Sequence, residues 1–221
     1  MARVLIIGAS GGIGAALAQA YALRADEVVG ISRSGDGLDL TDEASVEAVL
    51  GRVEGPFDRV IVATGALEID GAEPEKTIKS VTQKAMMDQF ALNAVGPALV
   101  LRHVVRLMDK NRPCLVAVLS ARVGSIGDNR LGGWISYRAA KAAVNQIVHT
   151  AAIELARSHP QSICVALHPG TVATPFTEKY VGRHPTVAPA EAARNLLSVM
   201  DNLGPDQTGQ FFDWAGKAVP W

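Results

Sequence analysis

Apolar residues along this chain recur with two periods, and their alternation sets out the architecture. Short continuous apolar runs lie at residues 4–7, 28–32, 57–64, 115–119, 162–167 and 210–214. Runs without polar alternation are what strands buried on both faces of a parallel sheet contain. Leu38, Asp39 and Leu40 read as one further, short strand. Between the runs the period lengthens to three or four residues. Ile13, Leu17 and Tyr21 keep helical spacing to about residue 24, and Val46, Val49 and Leu50 do so after a capping Thr41. A long helical stretch spans residues 84–109, another spans 134–155, and Pro189 opens a last one that reaches about residue 203. Strands alternating with helices predict an α/β fold, a doubly wound parallel sheet of about seven strands, as a single domain over residues 1–221.

The breaks in the pattern are as informative as the runs. Pro97 interrupts the 84–109 stretch close to Asn93. Proline has no amide proton and its ring clashes with the preceding turn, so a kink that frees backbone carbonyls near Asn93 is expected. Residues 67–82 are polar and loop-like. Residues 176–187, after the turn that follows the 162–167 strand, read as a small lid over a substrate pocket.

Chemistry gathers at the predicted carboxyl ends of the strands. The first strand runs into Gly8, Ala9, Ser10, Gly11, Gly12, Ile13 and Gly14 with no gap before the helix. Glycines there permit a tight turn and let a diphosphate reach amide groups at the positive helix end, so Gly8, Ser10, Gly12, Ile13 and Gly14 are candidate dinucleotide contacts. The end of the second strand is where such folds meet the adenosine ribose, an acid selecting NAD and an arginine accommodating the 2′-phosphate of NADP. Ser32, Arg33 and Ser34 stand there, which argues for NADP unless Arg33 is only a solvated loop cation. Asp39 and Leu40 are candidates near the adenine, and Gly65 allows a ligand close to the fourth strand.

Tyr137 and Lys141 lie four apart on a predicted helix and so share one face. A cation about 5 Å from the phenol, at an effective dielectric of roughly 20, favours the phenolate by about 3 kcal/mol, or roughly two pKa units. That would bring a tyrosine towards working pH, where general acid–base catalysis is efficient. A chance pairing of the two residues on a helix is the bland alternative. His168 beside Pro169 and Gly170 reads as structural, since no nucleophile stands near it in sequence.

Composition removes other classes. A formal net charge of -1 gives no electrostatic basis for nucleic acid or an anionic membrane. The N-terminal apolar run is short for a signal peptide, and no run of about 20 apolar residues suggests a membrane span. The expected location is the cytoplasm. Cys114 and Cys164 fall in strand-like runs as small buried hydrophobes, and no metal site is expected.

Gly8, Gly12 and Gly14, then Tyr137 and Lys141, then Pro169, Gly170 and Thr174 follow the order and spacing of the motifs of the short-chain dehydrogenase/reductase family. The chain resembles that family, with its Rossmann-like fold, over essentially its whole length, and looks most like its C-factor and Sniffer-type carbonyl reductase branch. The resemblance implies that Tyr137 donates a proton to a small carbonyl, or accepts one from a secondary alcohol. It implies that Lys141 binds the nicotinamide ribose and lowers the tyrosine pKa. Asn93 matches the asparagine at a helix kink that holds a relay water. Pro169, Gly170, Thr171, Val172 and Thr174 match the nicotinamide-side turn, and Thr174 would bond the carboxamide. Two features depart from the family. Its catalytic serine is usually the second of a pair, here Ser120 and Ala121, so Ser120, Ser125 or no residue supplies that hydroxyl. Its Asn-Asn-Ala-Gly motif is replaced by Val62, Ala63, Thr64 and Gly65. The long apolar helices would pack between subunits of a homodimer or homotetramer. A cofactor-binding signalling or sensor protein without turnover is the rival reading, prompted by Ala121.

Overall fold

The computed structural model of the chain describes residues 1–174, 177 and 186–221. Strands β1 (Arg3–Ile7), β2 (Glu27–Ile31), β3 (Arg59–Val62), β4 (Cys114–Leu119), β5 (Ser162–His168) and β6 (Phe211–Asp213) form one parallel sheet, in the order β2-β1-β3-β4-β5-β6. The connections are α1 (Gly12–Leu23), the four-residue α2 (Arg33–Asp36) with α3 (Glu43–Leu50), α4 (Gln83–Phe90) with α5 (Gly96–Leu107), α6 (Ile135–Ser158) and α7 (Pro189–Asp201).

The strand residues divide by face. Leu5 and Ile7 of β1, Val60 and Val62 of β3 and Val116 and Val118 of β4 point to a core shared with Val46, Val100, Val104, Val144 and Val148 of α3, α5 and α6. Their neighbours Val4, Ile6, Ile61, Leu115 and Ala117 point to the other face, onto Leu17 and Tyr21 of α1 and Leu196 and Met200 of α7. With both faces covered, a strand needs apolar residues at every position, which is the unbroken pattern the sequence carries. Cys114 and Cys164 are buried and unpaired, and burial raises both thiols to about 12.

Among the described residues the sheet has six strands, close to the about seven expected. Leu38 and Leu40 are buried, but the segment is not a strand: the Leu38 amide donates to the Ser32 carbonyl at 3.4 Å and the Asp39 amide to Ser45 Oγ at 2.9 Å. A parallel crossover needs a dozen or more residues, and the four-residue α2 cannot carry the chain back beside β2. The segments around Pro97 join differently from a simple kink. Residues Ala91–Val95 form a π-helical turn, in which the Gly96 amide reaches the Ala91 carbonyl, and α4 and α5 continue through it as one rod. That rod, Gln83–Leu107, is long and apolar enough by composition to cross a membrane, contrary to the sequence expectation of no such run. Half of its apolar window is buried, and it packs on α6, α3 and β3, which is the setting of a core helix.

Order reverses at β1: the chain goes from β1 outward to β2, then returns to place β3 on the other side. A crevice therefore opens beyond the carboxyl ends of β1 and β3, the place where sheets of this kind bind ligands.

Candidate active site

The turn after β1 is closed by contacts that only glycine permits. Gly8 has φ +94° and its amide donates to the Ile31 carbonyl at 2.7 Å. A Cβ on Gly14 would overlap the Gly8 carbonyl oxygen, so α1 begins directly against the turn. A Cβ on Gly12 would lie 2.5 Å from the Thr174 methyl, which brings the glycine turn and the segment after β5 face to face. No acidic residue stands in the first turn of α1, so its positive end is uncompensated.

Across the crevice, α6 carries Tyr137 and Lys141, both buried. The helix opens without a side-chain cap of its own, from Trp134 at φ +53°. Glu75 takes that place from 61 residues away. Its Oε2 accepts from the Ser136 amide at 3.2 Å, its Oε1 accepts from the Ser136 hydroxyl, and its carbonyl accepts from the Trp134 amide at 2.5 Å. The Trp134 ring meets Tyr137 edge to face at 6.4 Å.

Lys141 Nζ donates to the Leu119 carbonyl at 3.2 Å and sits 5.7 Å from the Tyr137 ring centre. Burial pulls the ammonium down from 10.5 to about 8 and pushes the Tyr137 phenol well above its usual value. The expected two-unit lowering of the tyrosine is therefore not present in the ligand-free chain. Desolvation of both groups outweighs a cation that lies over the ring. Gly65, at φ +142°, makes room behind them: a Cβ there would stand 2.7 Å from Asn93 Oδ1 and 3.3 Å from Lys141 Nζ.

Asn93 is fully buried in the π-helical turn. Its amide grips the strand end, donating to the Ala66 carbonyl at 2.9 Å and to Gln89 Oε1 at 2.7 Å, and accepting from the Ala66 amide at 3.2 Å. Its side chain is thus a clamp on the β3 turn. Pro97 lacks the N–H that a regular helix would send to the Asn93 carbonyl.

The two candidate hydroxyls beside Ala121 have different partners. Ser125 is committed elsewhere: its hydroxyl donates to the Pro220 carbonyl and accepts from the Asp128 amide at 3.0 Å. Ser120 is buried and its Oγ donates to Asn145 Oδ1 at 2.6 Å, on the turn of α6 after Lys141. Ser120 reaches the crevice wall with its hydroxyl engaged by the helix, and Ala121 presents only a methyl there.

At the end of β2, Ser32 caps α2 by accepting from the Gly35 amide at 3.0 Å, and Arg33 and Ser34 are exposed. The same turn folds Asp36 back so that its Oδ2 accepts from the Ser32 amide at 2.8 Å. Asp39 is turned onto Thr41, whose amide and hydroxyl both donate to its Oδ1, and these bonds hold its carboxyl below the usual range. Leu40 is tucked against Gly96, where a Cβ would come within 2.8 Å of it.

One cleft of about 980 Å³ unites most of these residues. Ser10, Gly12, Ile13 and Gly65 line it, together with Ser120, Tyr137 and Lys141 and with Pro169, Gly170, Thr171, Val172 and Thr174. Gly8 and Gly14 shape it from beneath, Asn93 stands behind Gly65, and Ser32, Arg33, Ser34, Asp39 and Leu40 do not line it. Of the predicted lid, Thr177 lines the cleft and residues 175, 176 and 178–185 lie outside the described residues. Arg122, Arg130, Trp134 and Arg138 also line it without having been named as candidates from sequence, and so do Thr64 and His168, the latter read from sequence as structural. They belong to no repeating pattern, and only the fold collects them.

The cleft suits a dinucleotide. It pairs a glycine-rich turn at a helix N-terminus with two buried polar atoms that have no partner among the described residues, Thr64 Oγ1 and His168 Nδ1, in residues of its wall. Burial holds His168 near 4, so it is a neutral wall residue at ordinary pH.

Comparison with known proteins agrees with this geometry. The family model described as short chain dehydrogenase matches residues 37–184. A relative from Rhodococcus sp. (strain AD45), named 1-hydroxy-2-glutathionyl-2-methyl-3-butene dehydrogenase, is 30% identical over the whole of both chains. C-signal of Myxococcus xanthus is 34% identical over 62% of this chain and 78% of its own. Among solved structures, a short-chain dehydrogenase/reductase of Burkholderia multivorans with bound NADP superposes with TM-score 0.84 at 26% identity, covering 100% of this chain and 99% of that one. The carbonyl reductase Sniffer of D. melanogaster shares the fold over the full length of both chains, with TM-score 0.80 at 20% identity. With a full-length relative and a family match across two thirds of its residues, the chain belongs to the short-chain dehydrogenase/reductase family of oxidoreductases.

Proposed function

We propose that this oxidoreductase interconverts a carbonyl and a secondary alcohol using NADP(H), with Tyr137 as the group that gives and takes the proton. The observation that carries the reading is that buried Tyr137 and Lys141 line the same cleft as the glycine turn. Residues Ser10, Gly12 and Ile13 would hold the diphosphate, Lys141 the nicotinamide ribose, and Thr174 the carboxamide. When bound, the nicotinamide supplies or accepts the hydride. Everything else falls to the chain. Glu75 and Ser136 fix the start of α6, and with it the direction of the Tyr137 side chain. Trp134 and Leu67 give the cleft an apolar wall that limits water around the reacting oxygen. Lys141, at about 8, is mostly charged at neutral pH and supplies the positive field that a phenolate needs. Tyr137 then delivers its proton to the carbonyl oxygen, without help from a serine hydroxyl at position 121.

Preference for NADP over NAD rests on exposed Arg33 beside Ser32 and Ser34, against the single carboxylate of Asp36. The NADP-bound relative of known structure supports the same cofactor. A homodimer or homotetramer in the cytoplasm completes the reading, and the exposed apolar side chains Val95, Val105 and Ile153 on the α5–α6 side favour subunit packing. The rival, a signalling protein without turnover, draws on Ala121 and on the similarity to C-signal.

The test is a parallel titration with NADPH and NADH, followed by tryptophan fluorescence, in the wild-type protein and in Arg33→Ala. Tighter binding of NADPH, largely lost in the variant, is expected. Equal binding of both dinucleotides would overturn the NADP assignment, and binding of neither would overturn the oxidoreductase mechanism.

A further inference from the structure

The cleft holds more positive charge than its own carboxylates neutralise. Arg122, Arg130 and Arg138 line it together with Asp128. Arg122 is already paired, with Nε 2.5 Å from Asp128 and Nη1 3.4 Å from Asp213. Arg138 is not. Its partly buried guanidinium donates to three main-chain carbonyls, of Gly133 at 2.9 Å, Val123 at 3.1 Å and Gly132 at 3.2 Å, and meets no carboxylate among the described residues. Arg130 is exposed, with one bond at 3.3 Å to the carbonyl of its own neighbour Asn129, and it too has no carboxylate partner among the described residues. Arg138 has surrendered part of its water to neutral carbonyls without gaining an anion, a costly feature to keep unless an anion arrives with a ligand, and exposed Arg130 has donors free to meet that anion.

The loop that carries Arg130 and leads into α6, where Arg138 stands, is built rather than loose. Gly132, Gly133 and Trp134 adopt φ +64°, +66° and +53° in succession. A bulky side chain at positive φ is strained, and strain of this kind persists where the surroundings hold it in place. Here two Arg138 bonds, to Gly132 and Gly133, pin the loop to α6, the third reaches Val123 in the turn after β4, and the Asn129 side chain accepts from the Gly132 amide at 3.1 Å. The result places the Trp134 ring beside Tyr137, in a cleft that Arg130 and Arg138 also line.

We propose that the substrate carries a carboxylate remote from its reacting carbonyl, and that Arg130 and Arg138 bind that carboxylate while its apolar body lies along Trp134, Leu131 and Val123. The proposal rests on the carbonyl-reductase reading above and narrows its substrate class. Arg130 has most of its five donors unspent, which suits two-pronged recognition of a carboxylate. Arg138 contributes chiefly charge, because its position is fixed by the carbonyls it holds.

The experiment uses matched probes: para-carboxybenzaldehyde and levulinate, each beside its own methyl ester, with the NADPH-loaded wild-type protein and with Arg130→Ala. The same four compounds are titrated into the NADP⁺-bound protein, where no reduction can occur, and followed by tryptophan fluorescence. The expected result is kcat/KM and affinity about tenfold or more higher for each carboxylate than for its ester. Raised ionic strength and Arg130→Ala should both bring that ratio towards one. Esters that equal or surpass the acids in both measurements would overturn the proposal. So would an Arg130→Ala variant that weakens NADPH binding and leaves the ratio intact, since the arginine would then serve the cofactor. Tighter carboxylate binding without turnover of any probe would support the anion site and count against the reductase reading, so the two can fail separately.

Discussion

Replacing Lys141 by methionine is expected to stabilise the ligand-free protein while removing its activity. The ammonium is buried and held from 10.5 down to about 8, which corresponds to a burial penalty of about 3 kcal/mol at neutral pH. Methionine fills a similar unbranched volume without charge. Against this gain, the Leu119 carbonyl loses its 3.2 Å donor, which costs about 1 kcal/mol. The net expectation is a ligand-free variant about 2 kcal/mol more stable at pH 7, a rise in Tm of about 5 °C for a chain of this size. The pH dependence fixes the cause. Below about 8 the lysine is protonated both folded and unfolded, so the full penalty acts on the wild type. Between about 8 and 10.5 the unfolded chain binds more protons than the folded one, so wild-type stability rises with pH and the advantage of the variant shrinks. Urea unfolding of both proteins at pH 7 and at pH 10, with m values compared, measures this directly. A variant less stable than wild type at pH 7 would refute the reasoning, because the ammonium would then be favourably bound by the fold. A gap that stays constant with pH would refute the assignment of the effect to charge burial.

Two further substitutions probe the supports of the site. Gly65→Ala would drive a Cβ to 2.7 Å from Asn93 Oδ1 at a backbone conformation that alanine resists, so a loss of about 2 kcal/mol in urea unfolding is expected, with a fall in turnover as Asn93 and Lys141 are displaced. Glu75→Ala leaves the Ser136 hydroxyl and amide buried without acceptors, for a cost of about 2 kcal/mol, and should lower kcat more than it weakens NADPH binding. Glu75→Gln should recover most of the stability, and equal loss in both variants would show that the carboxylate's bonds to Ser136 are not what matters.

What the sequence revealed was local or periodic. The apolar runs at 4–7 and 115–119 lie within or coincide with strands because burial on both faces leaves no room for polar residues. Gly8, Gly12 and Gly14 were readable because the turn and the helix they serve are contiguous. The Pro97 interruption was readable too, although not as a π-helical turn inside one rod. Contacts between distant segments were not legible. Nothing in the polar stretch 67–82 distinguishes Glu75, whose partner Ser136 lies 61 residues on. Nor does any spacing say that the Ser120 hydroxyl bonds to Asn145. Leu38 and Leu40 have the burial of a strand but not its hydrogen bonds, and pattern reports only burial. The Tyr137 acidity was misjudged for a related reason: the four-residue spacing gives proximity to Lys141, while desolvation depends on everything packed around the pair.

The central claim is that Tyr137 moves the proton in a cleft that binds NADPH. The most direct measurement is Tyr137→Phe, assayed for NADPH binding by fluorescence and for NADPH oxidation with the carbonyl probe that the wild type reduces fastest. The account predicts binding largely retained and turnover reduced by about 100-fold to 10,000-fold, the range general acid catalysis supplies. Turnover close to wild type in the variant, or no reduction of any carbonyl by a wild-type protein that binds NADPH, would contradict it.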